Sequence, residues 1–131
     1  MDKSAIALLH RLRPELVTED VGLSFNLGDH IVYTNEQVVK QLGYQKPEQL
    51  CHVHPFMLSP ERQPDGELSS TKSILMLKKA RVLGEYSFPW VHKRSDKSEV
   101  NCRIHLFDLS SEKEQSLPEV DLFAIWQFNI S

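Results

Sequence analysis

Residues 58–69, with the sequence LSPERQPDGELS, constrain the fold more than any other part of the chain. Proline presets its φ angle and glycine accepts a positive φ, so Pro64-Asp65-Gly66 predicts a rigid turn. The Ser-Ser-Thr run at residues 69–71 supplies side-chain oxygens that cap the start of a helix. Residues 71–83 then give the longest helical pattern of the chain, and Gly84 stands where a helix-ending glycine is expected.

The apolar residues of this long helix spread over a wide arc. One face carries Leu68, Leu75 and Val82, and another carries Leu77, Ala80 and Leu83. A wide apolar arc is typical of a helix covered on two sides. The sequence therefore predicts that this helix packs against neighbours on both faces.

Strand patterns lie on both sides of the helix. Residues 21–27 alternate between apolar and small polar types, as in a half-buried strand, and Gly28-Asp29 separates them from a short strand at residues 31–34. Asn35 caps a short helix that ends at Gly43. Residues 86–93 and 100–106 alternate again, whereas residues 120–130 are almost continuously apolar, which favours a central strand. This order predicts an α+β fold with a five-stranded antiparallel sheet and helices on one face.

Size and charge narrow the range of functions. The 131 residues fit one domain, and the net charge of −3 comes from mixed acidic and basic residues. No basic stripe indicates a nucleic-acid partner. No apolar run reaches the roughly 20 residues of a membrane helix, so we expect a cytoplasmic domain with no membrane insertion. Cys51 and Cys102, the two cysteines, are expected to be free thiols.

The N-terminal segment predicts a separate amphipathic helix. Residues 4–13 carry an apolar stripe, and Pro14 ends the helix. We expect residues 1–19 to form this helix and a linker, and residues 20–131 to form the main domain. The stripe either packs on its own sheet or joins two copies as a homodimer; for the dimer the contact residues are Ile6, Leu8, Leu9 and Leu12.

Several short motifs in the main domain occur in a recognisable order. They are YTNE at residues 33–36, LGY with PEQL at 42–50, the proline turn at 58–69, GEYSFPWVHKR at 84–94, and FNIS at 128–131. Together they resemble the PAS, or sensory box, domains of bacterial signalling proteins, above all those of diguanylate cyclases. The resemblance covers about residues 20–131. Three positions depart from the usual pattern: Cys51 stands where glycine is common, Lys97 follows Asp96 where glycine is common, and Asn129 replaces an aspartate.

The resemblance implies a sensory domain and not an enzyme. Such a domain binds a small ligand or sets dimer geometry, and thereby controls a C-terminal output domain in two-component or cyclic-di-GMP signalling. The output domain most often linked to this motif type is a diguanylate cyclase. Two alternatives stay open. One is a ligand-free dimerisation module of a histidine kinase or chemoreceptor, and the other is a small cone-shaped α+β enzyme that uses a buried histidine such as His92.

We predict no cofactor. Whether the domain binds an unidentified small metabolite stays open. The long helix has no histidine for haem, and the flavin-type letters Asn101-Cys102-Arg103 fall on a strand. Cys51, His52 and His54 are too few for a structural zinc site. The fold implies a pocket between sheet and helices, which is either filled core or a ligand cavity. Its candidate lining residues are Tyr33, Phe56, Met57, Leu75, Trp90, His92, Cys102, Ile104 and Ile125.

Overall fold

The computed structural model describes residues 7, 10–11, 14–16, 21–28, 30–51, 53–109 and 121–128. Within them the strands are β1 (Gly22–Leu27), β2 (His30–Thr34), β3 (Glu85–Lys93), β4 (Glu99–Asp108) and β5 (Leu122–Phe128). The α-helices are α1 (Glu36–Gln41) and α2 (Ser69–Leu83), and short 3₁₀ helices span Pro14–Leu16, Pro47–Leu50 and Pro55–Leu58. Every strand and both central helices occur where the sequence patterns predict them.

The strands form one antiparallel sheet in the order β2-β1-β5-β4-β3. The α+β prediction is therefore confirmed. β5 lies at the centre, and its residues Leu122 to Trp126 are buried on both faces. This explains its nearly continuous apolar sequence, because neither side of a doubly covered strand meets water.

The two α-helices cover one face of the sheet, which we call the inner face. The principal core lies between this face and α2, whose side chains Met76, Leu77 and Ala80 point into it. The prediction that α2 is covered on two sides is wrong. Leu75 and Val82 are exposed, since no other described element packs on the outward side of the helix.

The opposite, outer face of the sheet carries a second apolar cluster. Phe25 and Phe123 stack with ring centroids 4.9 Å apart, and Phe107 lies beside them. β1 is accordingly buried on both faces and not half-buried, as its alternation had suggested. Leu23 and Phe25 face the outer cluster, while Ser24 and Asn26 face the inner core.

The loop at residues 61–69 fastens the free edge of the sheet to the start of α2. Gly66 has a φ of +89°, which confirms the predicted turn. The side chain of Gln63 is buried and acts like one residue of an additional strand. Its Oε1 accepts from the Val91 backbone N–H at 2.9 Å, and its Nε2 donates to the Val91 carbonyl at 3.0 Å and to Ser69 Oγ at 3.0 Å.

Asn35 connects β1 to α1. Its Oδ1 accepts from the backbone N–H of Leu23 and of Val38, and its Nδ2 donates to the Val21 carbonyl. The predicted N-cap of α1 is therefore present. Gly22 permits the close approach of the helix, because a Cβ there would lie 2.7 Å from Val38 Cγ2.

The predicted dimerisation residues Ile6, Leu8, Leu9 and Leu12 lie outside the described residues. Their neighbours Ala7, His10 and Arg11 are helical, in line with the predicted N-terminal helix. The division at residue 19 and the dimer remain predictions. In the part of the chain that the structure describes, no helix is long and apolar enough to cross a membrane.

Candidate functional site

A small cavity lies between the inner face of the sheet and α2. Its volume is about 40 Å³. A buried water needs at least about 10–15 Å³, so the space suits a few waters or a molecule of a few heavy atoms. The residues that line it are Ser24, Asn26, Ser73, Met76, Leu77, Phe88, Trp90, His92, Ile104, Leu106, Ala124 and Trp126.

Alternation along β3 aims its aromatic residues at this cavity. Phe88, Trp90 and His92 are buried on the inner face, whereas Pro89 is exposed. Trp90 Nε1 donates to Ser59 Oγ at 2.9 Å, so the indole is held against the start of the proline turn at residues 58–69. The prediction that Trp90 and His92 face the interior is confirmed.

His92 is a neutral side chain held in a fixed orientation. Its Nδ1 lies 3.0 Å from the Leu58 carbonyl oxygen, and because that oxygen can only accept, Nδ1 carries the proton. Its ring stacks on Trp126 with centroids 4.4 Å apart. Burial lowers the pKa of His92 to about 4, against the smaller opposing effect of the Leu58 hydrogen bond. The cavity therefore has an uncharged imidazole in its wall at neutral pH.

The polar atoms of β1 distinguish the cavity from an entirely apolar void. Ser24 Oγ accepts from Trp126 Nε1 at 2.9 Å. Asn26 is 2% exposed, and its Oδ1 has no hydrogen-bond partner. A buried acceptor without a donor costs about 1–3 kcal/mol, so a ligand or water that donates to Asn26 is favoured.

The structure brings together three of the nine predicted pocket residues, namely Trp90, His92 and Ile104. Cys102 lies nearby on the inner face of β4, buried but outside the cavity lining. Phe56 is half-buried and its ring contacts that of His54, with centroids 4.6 Å apart. Whether any of these residues binds a ligand stays a prediction.

Four of the nine placements are wrong. Tyr33 and Ile125 belong to the outer cluster, because they follow the opposite phase of their strands. Met57 is 59% exposed and Leu75 is 49% exposed, so neither reaches the core. Helical periodicity alone could not reject Leu75, since it sits beside the buried Met76 on a helix with apolar residues on every side.

Sequence reasoning missed the contribution of β1 and β5. Asn26 gave a misleading signal, because a polar residue at an alternating position of a half-buried strand is expected on the solvent face. Trp126 carried none, since any residue of a continuous apolar strand could have faced either side. Ser24 becomes recognisable only once its indole partner is known.

Neither cysteine has the environment of a reactive thiolate. Burial raises the pKa of Cys102 to about 12, and burial together with nearby Glu48 raises that of Cys51. Among the described residues, no group of three or more His, Cys, Asp or Glu side chains could hold a metal ion.

A polar row crosses the outer face of the sheet, away from the cavity. Ser87 Oγ lies 2.6 Å from His105 Nδ1, and His105 Nε2 lies 2.6 Å from Gln127 Oε1. The amide oxygen accepts from Nε2–H, which leaves Nδ1 to accept from the serine hydroxyl. The row joins β3, β4 and β5 side by side and stabilises their register.

Comparison with solved structures identifies the architecture. A PAS domain of a LuxR-family transcriptional regulator from Burkholderia thailandensis, solved in complex with ethanol, matches with a TM-score of 0.63 and 14% identity over 98% of both chains. The LOV domain of the blue-light activated histidine kinase EL346 from Erythrobacter litoralis gives 0.60 and 15%, over 85% of this chain and 95% of that one.

A PAS domain of an HTR-like protein from Haloarcula marismortui gives a TM-score of 0.59 and 17% identity, over 94% of this chain and 93% of that one. No protein-family model matches the sequence, and no curated protein is similar to it in sequence. The likeness to these domains is therefore one of structure. This chain has the PAS fold, with a small cavity on the helix-covered face of its sheet.

Proposed function

We propose that this chain is a sensory domain that binds a small uncharged molecule in the inner cavity and controls a C-terminal output domain. The observation that carries the proposal is Asn26 Oδ1, a buried acceptor without a partner in the lining of a 40 Å³ cavity. The surrounding walls are mostly apolar, and His92 is neutral there. These features favour a ligand of a few heavy atoms with one hydrogen-bond donor, such as a short alcohol. The ethanol complex of the similar Burkholderia domain supports this size class.

The small volume of the cavity argues against a ring cofactor. LOV domains are among the similar structures, and one of them was solved with a flavin analogue. A ring system of that kind needs several hundred Å³, and this cavity has about 40 Å³. Cys51 and Cys102, both with raised pKa, are poor candidates for a light-driven thiol adduct. We therefore expect the purified domain to be colourless.

The experiment is a titration with ethanol and 1-propanol, followed by tryptophan fluorescence, because Trp90 and Trp126 both line the cavity. Saturable changes are expected with the native chain and are expected to vanish in Asn26→Leu. Thr34→Val is the matched control. Thr34 Oγ1 is also buried without a partner, but Thr34 lies outside the cavity lining. A linear response, or equal loss in both variants, would contradict binding at Asn26.

The output domain and the dimer are part of the proposal. The match to one blue-light activated histidine kinase covers 33% of that chain, and another similar domain belongs to a transcriptional regulator. The motif resemblance favours a diguanylate cyclase, so we propose a cytoplasmic homodimer that regulates cyclic-di-GMP synthesis. Assays of the full-length protein for cyclic-di-GMP formation and for autophosphorylation distinguish the cyclase from the kinase.

A ligand-free dimerisation module is the second candidate, favoured by the small volume of the cavity. Native mass spectrometry separates the two candidates. A dimer without any bound molecule, together with no response to the alcohols, supports the module.

A further inference from the structure

The outward side of α2 carries an apolar line that the described part of the domain leaves uncovered. Leu68, which caps the helix, is followed at intervals of seven residues by Leu75 and Val82, and their exposed fractions are 37%, 49% and 84%. Seven residues are nearly two helical turns, so the three side chains lie along one line about 21 Å long. We call these three residues the α2 stripe.

Every charged residue of α2 is a cation. They are Lys72, Lys78, Lys79 and Arg81. Three of them have partners within the domain: Lys72 Nζ lies 2.7 Å from Asp65 Oδ2, Arg81 donates to Asp121 and to the Gly28 carbonyl, and Lys79 Nζ donates to Tyr86 Oη at 3.5 Å. Lys78 and Lys79 lie on either side of the stripe, between Leu75 and Val82.

A shallow groove marks the C-terminal end of the stripe. It has a volume of about 380 Å³ and is lined by Val82, Leu83, Tyr86 and the stems of Lys78 and Lys79. Lys79 Nζ lies 5.1 Å from the centre of the Tyr86 ring, which fixes one ammonium at the rim. The groove suits one apolar side chain that is flanked by carboxylates.

We propose that the α2 stripe docks an acidic amphipathic helix of a partner protein, with apolar residues repeated every seven positions and Glu or Asp beside them. The seven-residue spacing matches the repeat at which a facing helix presents its apolar side chains. The carboxylates of the partner would pair with Lys78 and Lys79. This surface lies on the side of α2 away from the cavity, so the inference does not depend on the proposed ligand.

Two other occupants fit less well. A second copy of α2 would bring only cations to Lys78 and Lys79, because a two-fold interface pairs the helix with itself and every charged residue of α2 is positive. An anionic membrane is better served by a broad apolar face with aromatic residues, whereas the exposed apolar residues of α2, which include Ile74 and Leu83 beside the stripe, alternate with lysines and include no aromatic residue.

The test uses the ¹⁵N-labelled domain and a synthetic helical peptide of about 21 residues with Leu at the two apolar positions of each heptad and Glu beside them. The control peptide has Lys in place of every Glu. We expect chemical-shift changes along α2 with the acidic peptide only. Raising the salt concentration from about 50 to 500 mM should weaken binding of the acidic peptide several-fold, because salt screens exposed charges.

Matched variants locate the contact. Val82→Glu is expected to weaken binding of the acidic peptide about tenfold, and Lys78→Glu several-fold. Met57→Glu and Lys40→Glu make the same chemical changes at exposed positions elsewhere and should leave binding unchanged. The proposal is overturned if neither peptide binds, if both bind equally, or if the domain instead binds phosphatidylglycerol vesicles and ignores the acidic peptide.

Discussion

His92 is a titratable group whose environment links folding to pH. Burial lowers its pKa from 6.5 to about 4, so between these values the unfolded chain binds a proton that the folded chain excludes. The stabilisation is fully present above pH 6.5 and is lost as the pH falls towards 4. We expect the free energy of unfolding to drop by about 3 kcal/mol over that window.

Urea unfolding at several pH values measures this dependence. The His92→Phe variant keeps the stacking with Trp126 but cannot titrate, so its curve should be flatter by the same amount. An equal slope in both proteins would place the pH dependence on other groups.

Lys97 occupies a backbone conformation that favours glycine. Its φ is +74°, in the turn between β3 and β4. A lysine there bears steric strain that glycine relieves, and the greater freedom of glycine in the unfolded chain offsets part of the gain. We expect Lys97→Gly to stabilise the fold by about 0.5–1 kcal/mol. Lys97→Ala, which keeps the strain, should show no such gain in thermal unfolding.

At the level of single residues, the sequence predicted the orientation of side chains correctly where only one face of a strand was strongly apolar. Alternation on β3 placed Trp90 and His92 correctly, because the opposite phase, with Ser87 and Lys93, is the more polar of the two. It failed for Tyr33 and Ile125, whose strands are covered on both sides. The faces of such strands are decided by the register with their neighbours, which a single strand does not encode.

Among the elements, β3 is an edge strand, and one side chain forms hydrogen bonds with the backbone at its free edge. Gln63 pairs with both backbone groups of Val91, and it also binds Ser69 at the start of α2. Gln63→Ala leaves these buried groups unpaired, which we expect to cost about 1–3 kcal/mol. Hydrogen exchange should quicken at the Val91 amide. Gln45→Ala, at an exposed position, is the control and should change neither quantity.

The element boundaries followed from capping chemistry. Asn35 and Gly43 bracket α1, and Gly84 ends α2 with a φ of +89°. What the sequence could not show is that the apolar arc of α2 has only one covered side. Leu75 and Val82 are apolar, so the sequence predicted that they are buried. Only the positions of the other elements reveal that they are exposed.

For the whole molecule, one untested prediction is the N-terminal contact. Deleting residues 1–13 should weaken dimerisation, as measured by sedimentation, because it removes Ile6, Leu8, Leu9 and Leu12. Cooperative unfolding should persist, since the inner core is built from later residues. Leu8→Glu gives a milder test of the same contact. An unchanged association constant in both proteins would assign the dimer to another surface.

The small cavity also makes the folded domain sensitive to hydrostatic pressure. If the space is dry, unfolding eliminates about 40 Å³ of void per molecule, a contribution on the order of 20 mL/mol to the volume decrease. High-pressure NMR would then register the earliest shifts around Asn26 and Ala124, where the sheet borders the void. A bound alcohol occupies the same space and makes the domain harder to compress. The compressibility of the domain therefore reports whether the cavity is occupied, independently of tryptophan fluorescence.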